Sequence, residues 1–219
     1  MLKTSTIAFL EQLALNNNKP WFDANRDKYL DAKEDYEIFV GGVLNALAEN
    51  EPLFKEQKAK DCIFRIFRDV RFAKDKSPYK PNFGAFFSKG GRKFPGAGYY
   101  MHLEPGGNSF VGGGLWMPEA PLLKAVRQEI DYNLPDFKTI VDNPGFKTTF
   151  GEVKGESLKN LPSGYTADNP AAEYMKLKSF TAMHNLQDSD LTSPALQTNT
   201  VSIFNTMKPF IDFLNKAIA

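Results

Sequence analysis

An α+β fold with a mainly antiparallel central sheet is predicted by three observations. Apolar residues recur at helical spacing toward both ends of the chain. In the middle they switch to an alternation of period two, the mark of strands. Turn-forming residues such as Pro105-Gly106-Gly107-Asn108 join alternating runs by short connections, which suits hairpins. A doubly wound sheet would need strands and helices in strict alternation.

The elements follow in order. Ile7, Leu10, Leu13 and Ala14 form one stripe, so a first helix is expected, capped by Thr4 or Ser5 and ended by Asn16-Asn17-Asn18. Pro20 suits the first turn of a short helix carrying Trp21 and Phe22. A long helix over about 26–49 uses Tyr29, Tyr36, Phe39, Val40, Val43, Leu44 and Leu47, with Gly41-Gly42 marking a kink or close packing. From Cys62 to Phe72 the parity alternates: Cys62, Phe64, Ile66, Val70 and Phe72 on one side, Arg65, Phe67, Asp69 and Arg71 on the other. A strand is expected there, followed by a loop with Pro78 and Pro81. Further strands are expected over 83–88, 99–104, 109–115 and 179–186. Pro118 opens another helix, two short helices flank Asn143-Pro144-Gly145, and Asn169-Pro170 starts a helix with a capping Asn before proline. Two last helices, over 193–207 and 209–218, end the chain.

Composition narrows the class. A chain of 219 residues fits a single globular domain, 1–219, and 19 Phe residues supply a large core. The net charge is +1, so bulk electrostatics give no general affinity for nucleic acid or membrane, and any anion site must come from local clustering. The single cysteine, Cys62, allows no intramolecular disulfide. With no leader-like apolar run and no membrane span, a soluble, cytoplasmic protein is expected.

Several residues are familiar as a set. They are Trp21-Phe22 after the Asn run; Phe64-Arg65-Ile66, Arg68-Asp69, Arg71-Phe72, Asp75-Lys76 and Pro78-Tyr79-Lys80; Tyr99-Tyr100 with His102-Leu103; Gly112-Gly113-Gly114 before Trp116 and Pro118; and Leu161-Pro162, Gly164-Tyr165 and Asn169-Pro170. In these the chain resembles a widespread bacterial and fungal family known only as a domain of unknown function. The resemblance runs over nearly the whole length. It implies a stand-alone cytosolic protein and transfers no catalytic residues.

The densest chemistry lies between Phe64 and Lys80. Arg65, Asp69 and Arg71 should point one way from the strand, Arg68 the other, and Lys74, Lys76 and Lys80 follow in the loop. Guanidinium forks fit carboxylate and phosphate oxygens in pairs. The expected ligand site is therefore Arg65, Arg68, Asp69, Arg71, Lys76, Tyr79 and Lys80, with Tyr79 positioning an anionic, phosphate-bearing partner: a metabolite, a nucleotide or a nucleic-acid backbone. The competing reading makes Arg65–Asp69 and Arg71–Asp75 internal ion pairs that fasten the loop. On the apolar side of a regular strand Arg68 would need an acidic partner, a bulge or a pocket.

Other motifs weigh less. Gly112-Gly113-Gly114 matches neither phosphate-loop pattern and reads as a glycine-permitted bulge or as close packing of a strand beneath Tyr or Trp rings. His102 and His184 lack metal-ligand spacing, so no metal and no cofactor are expected. His102 and Glu104 share a strand face and, with Asp69, are the proton-carrier candidates if the arginines serve an enzyme. A third reading is an interaction domain without a ligand. Trp21, Phe22, Tyr99, Tyr100 and Trp116 read as ordinary core. The reaction and the oligomeric state are left open.

Overall fold

The computed structural model describes residues 1–218. Its helices are α1 (Thr4–Leu15), α2 (Lys19–Ala24), α3 (Arg26–Asn50), α4 (Ala59–Cys62), α5 (Ala120–Tyr132), α6 (Leu134–Val141), α7 (Pro144–Phe150), α8 (Ala172–Met175), α9 (Asp188–Leu191) and α10 (Leu196–Lys216). Four strands, β1 (Phe83–Phe87), β2 (Gly98–Leu103), β3 (Phe110–Leu115) and β4 (Phe180–Asn185), form one antiparallel sheet in the order β1-β2-β3-β4. The fold is α+β, with the sheet from the middle of the chain and helices toward both ends. Among the described residues no helix is long and apolar enough to cross a membrane.

The chain divides into two compact units. The first comprises residues 1–92, 100–111 and 185–202; the second comprises, of the described residues, 93–99, 112–184 and 203–218.

In the first unit α1 packs on α3. Phe9, Leu10 and Leu13 of α1 are buried, as are Tyr36, Phe39, Val40 and Val43 of α3, because each set lies on one face at spacings of three and four. Tyr36 stacks on Phe83 of β1 at 5.2 Å, which fixes α3 against the sheet. The start of α1 is not capped by Thr4 or Ser5. Lys3 occupies the cap position, and the buried Asp35 of α3 accepts from the Lys3 amide (2.8 Å) and the Thr6 hydroxyl (2.6 Å). A carboxylate from a neighbouring helix thus replaces the local cap. Asn18 does cap α2, accepting from the Trp21 amide at 3.0 Å. Of the glycine pair in α3, Gly42 reflects close packing, since a Cβ there would lie 2.4 Å from the Gln197 side chain.

In the second unit Val126 and Ile130 of α5, Phe137 of α6, Phe146 of α7 and Phe204 and Phe210 of α10 are buried. Phe137 and Phe146 both pack against Phe210, at 6.2 and 5.6 Å, and Tyr99 of β2 stacks on Phe204 at 4.9 Å. The two expected C-terminal helices are one. Helix α10 continues through Pro209 because its buried side, Phe204, Met207, Phe210 and Leu214, keeps its spacing across the proline. That burial outweighs the cost of about 3 kcal/mol for an interior proline. The helix expected after Asn169-Pro170 is only the single turn α8, its entry held by Asn169, which accepts from the Ala171 amide at 2.7 Å.

The glycine run in β3 is packing. A Cβ on Gly112 would lie 2.5 Å from the Ala182 carbonyl oxygen, and one on Gly114, whose φ is +122°, 2.0 Å from that of Phe180. Only hydrogen side chains let β4 approach this closely.

Candidate functional site

The segment 62–72 departs from the expected strand. Cys62 ends α4, and the chain beyond it makes isolated antiparallel bridges, Ile63 to Ala85 of β1 and Phe67 to Tyr79 of its own returning loop. The Arg68 amide donates to the Pro78 carbonyl and the Lys80 amide to the Ile66 carbonyl, at 3.0 and 2.8 Å. Pro78 and Pro81 have no N–H to offer, so no continuous ladder can form along this edge. The parity is lost with it. Ile66 is buried, but Phe72, placed on the same side by alternation, is 96% exposed.

Freed from strand geometry, the charges pair differently from the expected Arg65–Asp69 and Arg71–Asp75. Arg71 grips Asp69 with both arms of its fork, Nε to Oδ1 at 2.9 Å and Nη2 to Oδ2 at 2.7 Å. Arg68 pairs with Asp75, whose Oδ1 also accepts from the Ser77 amide and hydroxyl. These partners hold the Asp75 carboxyl well below the usual carboxylate range, the Ser77 bonds contributing most and Arg68 after them. Asp69 is likewise lowered, first by the Arg71 side chain. Lys76 donates to the Val70 carbonyl at 3.0 Å. The exposed pair Arg71–Asp69 contributes little to stability, but it removes Arg71 as an open fork.

Tyr79 is not a stacking platform for a ligand. It is buried, its ring lies 4.0 Å from Phe22 at an angle of 12°, and its backbone N–H and C=O are both held by the Asn17 side-chain amide at 3.1 and 2.9 Å. It fastens the loop onto α2.

Of the seven expected ligand residues, Arg65, Lys76 and Lys80 have no acidic partner among the described residues, and of these only Lys76 is held by a main-chain carbonyl. Arg65 is exposed, has no hydrogen bond or ion pair among the described residues, and acts on Asp69 only at a distance. Lys80 is half-buried with no acidic partner among the described residues; its Nζ lies 5.7 Å from the centre of the Phe64 ring. Its ammonium is lowered in pKa, by burial first and then by the charges of Arg65 and Arg68. Three cations thus bear on one another where two acids of the loop are already committed.

Phe64 joins this cationic corner to the sheet, its ring packing edge-on against Tyr100 of β2 at 6.2 Å. In β2 Tyr99, Met101 and Leu103 are buried, so Tyr100 and His102, with Glu104 just beyond the strand, share the opposite face. His102 Nε2 lies 2.8 Å from Glu104 Oε2, and Nδ1 lies 3.2 Å from the Tyr100 hydroxyl and 3.5 Å from the Asn82 amide. These partners assign the tautomer. A carboxylate can only accept, so Nε2 carries the proton, and Nδ1 is left to accept from Tyr100 or Asn82. Phe110 stacks on the imidazole at 4.9 Å and 11°. Burial, and after it the Glu104 charge, pushes the Tyr100 hydroxyl up to about 12. Gly84 makes room for that hydroxyl, since a Cβ there would lie 2.6 Å from it.

Of the expected proton carriers, His102 and Glu104 are in contact, whereas Asp69 is committed to Arg71. Sequence reasoning missed Asn82 and the role of Tyr100. The signal was present: Tyr100, His102 and Glu104 share one parity, and Asn82 shares the parity of Lys80. Of the aromatic set, Phe22 and Tyr99 are core, while Trp116 is 69% exposed. His184 is separate, bonded to the Thr149 carbonyl at 2.9 Å. Among the described residues no group of three or more His, Cys, Asp or Glu side chains is placed to hold a metal ion.

No curated protein and no solved structure matches the chain. The family model described as conserved hypothetical protein (DUF2461) matches residues 5–213, nearly the whole chain, and the protein belongs to that family.

Proposed function

We propose that this is a cytoplasmic bacterial protein that binds a small phosphate-bearing anion on the face of the first unit where Arg65 and Lys80 flank Phe64. The observation that carries the reading is the state of Lys80. A half-buried ammonium with two further cations near it and no carboxylate to pair with is held at a cost in solvation. An incoming anion offsets that cost and satisfies Arg65 at the same time. Phe64, with Tyr100 beside it, offers an apolar wall for the organic part of such a ligand. On this reading the string from Phe64 to Lys80 is the family's signature. Its aspartates lock two arginines to shape the loop, and the cations left over face the ligand.

The contact between Glu104, His102 and Tyr100 favours a second reading, an enzyme that uses the same anion site. Glu104 orients the imidazole, and Nδ1 or the Tyr100 hydroxyl exchanges a proton with the bound molecule.

Calorimetric titration with inorganic phosphate and a panel of mononucleotides tests both. Lys80→Gln and Arg65→Gln should each weaken binding about tenfold or more, the worth of one charge-assisted hydrogen bond. Arg71→Gln, which removes a cation already paired, should change it less than threefold. Equal losses in all three variants, or no binding by the intact protein, would sink the anion site. In the enzyme reading His102→Gln keeps the affinity and loses turnover of the bound compound.

A further inference from the structure

The second unit holds a cation of a different kind. Arg127, on α5, is the only buried cationic side chain among the described residues, at 8% exposure. Its guanidinium makes one hydrogen bond among those residues, from Nη2 to the Leu177 carbonyl at 2.8 Å. Its Nε is buried without any partner. No carboxylate among the described residues stands within ion-pair distance of it. A buried arginine with one carbonyl acceptor, a buried Nε–H that nothing accepts and no counter-charge is an arrangement proteins rarely keep without a use.

The missing counter-charge is withheld locally. Asp131 follows one helical turn after Arg127, the spacing at which an acid and an arginine ordinarily pair. Instead, its carboxylate accepts from the Asn169 side-chain amide at 2.7 Å, while the Asn169 carbonyl oxygen accepts from the Ala171 amide. Asn169 is thereby fixed at both ends and keeps Asp131 turned to it. Tyr165 lies in the electrostatic field of both charged groups, and its phenol is raised by burial and by Asp131. Tyr165 and Asn169 belong to the turns at 161–170, which also carry Leu161-Pro162, Gly164 and Pro170. These residues contribute to the family resemblance and take no part in the site on the first unit.

We propose that Arg127, with the Tyr165 hydroxyl as a second donor, is a second anion site that takes the carboxylate of a small monoanionic ligand. The charge count selects the class. Lys176 and Lys178, which flank Leu177, are paired with Glu173 and Glu156. One unit of positive charge is therefore left, and a planar carboxylate matches one planar fork. A phosphate dianion would bring a second negative charge with no second cation to meet it. The site is independent of the Arg65–Lys80 face.

The test is a titration of the full chain with sodium acetate against sodium chloride at equal ionic strength, following arginine side-chain Nε–H signals by nitrogen-15 NMR. The Arg127 signal is identified by its loss in Arg127→Lys. Acetate should shift it saturably and raise the melting temperature above that in chloride. Tyr165→Phe should weaken the acetate response about tenfold, the worth of one hydrogen bond to a charged group. Lys80→Gln should leave the response intact, which separates this site from the first. Intact protein in which no arginine Nε–H signal moves saturably with acetate overturns the proposal, whether or not the variants fold. A response lost in Lys80→Gln overturns it too, as does inorganic phosphate displacing acetate with higher affinity.

Discussion

The Tyr100 hydroxyl gives the face of β2 a measurable signature at alkaline pH. In an unfolded chain a tyrosine ionises near pH ~10, whereas burial and the Glu104 carboxylate push Tyr100 up to about 12. The folded form therefore holds its proton more tightly than the unfolded form. Below pH ~10 both states keep the proton and stability is complete; between about 10 and 12 only the unfolded state ionises, and stability falls. A difference of about two pKa units corresponds to roughly 2.7 kcal/mol, at ~1.36 kcal/mol per unit. Tyr100→Phe removes this loss, and it also removes the hydroxyl bond to His102, which stabilises by about 0.5–1.5 kcal/mol at neutral pH. Urea unfolding of both proteins at intervals from pH 8 to pH 12 reads the balance. The variant should be about 1 kcal/mol less stable at pH 8 and about 1–2 kcal/mol more stable near pH 12. Cys62, pushed up to about 11 by burial first, does not feel Tyr100 and cancels in the difference; Tyr36 is raised by burial first and by Tyr100 after it, so its contribution is the smaller part of any change. A gap between the two proteins that stays constant across this range would refute the buried, hydrogen-bonded placement of Tyr100.

Two further outcomes test the loop and the sheet. The Asp75 carboxyl is lowered by Ser77 and Arg68, so its stabilising effect is complete above the unfolded value of ~3.9 and fades as pH falls through the lower folded value; carbon-13 titration should find Asp75 still ionised at pH 3, and an ordinary midpoint near 4 would contradict the pairing. Gly114→Ala sets a Cβ 2.0 Å from a main-chain oxygen at φ +122°, whereas Gly107, at φ +78°, has open space around it. Urea denaturation should give a loss above ~3 kcal/mol for the first, from clash and strain together, and about 1–2 kcal/mol for Gly107→Ala from backbone strain alone. Equal losses would mean that β4 does not approach β3 as closely as described.

What the sequence made legible was local. The stripe Ile7, Leu10, Leu13 and the longer one from Tyr29 to Leu47 declare α1 and α3, because a helix needs only its own neighbours to set its period. The hairpin of β2 and β3 is declared by Pro105-Gly106-Gly107-Asn108. The expected strand at 62–72 failed for a reason alternation cannot carry: a ladder needs a partner, and the partner here is a loop with two prolines. The misplaced ion pairs follow from the same error, since strand geometry decided which side chains were thought to share a face. Pro209 misled in the opposite direction, because burial on both sides of a proline is a tertiary fact. Arg127 was invisible as a buried cation. It sits in a helical pattern where an arginine reads as surface, and only the packed structure shows it enclosed.

The positive charge of the loop rests on a count that no pairing scheme alters. Residues 65–80 contain six cationic side chains and two acids, a net charge of +4 in a chain whose total is +1, so the remaining residues sum to −3. Two aspartates can neutralise only two cations, and pairing decides which. Had Arg65 taken Asp69 and Arg71 taken Asp75, the open charge would have included Arg68, on the side of the segment predicted to be apolar. The observed pairs instead commit Arg68 and Arg71, and leave Arg65, Lys74, Lys76 and Lys80, the last beside the Phe64 ring. Pairing thus leaves two unmatched cations in the exposed loop, Lys74 and Lys76, and two at its base, Arg65 and Lys80, where the Phe64 ring lies against Lys80. Exposed cations at a loop tip are screened within about 8–10 Å at physiological salt. A half-buried one against an aromatic ring keeps its field, as Lys80 does at the base of the loop.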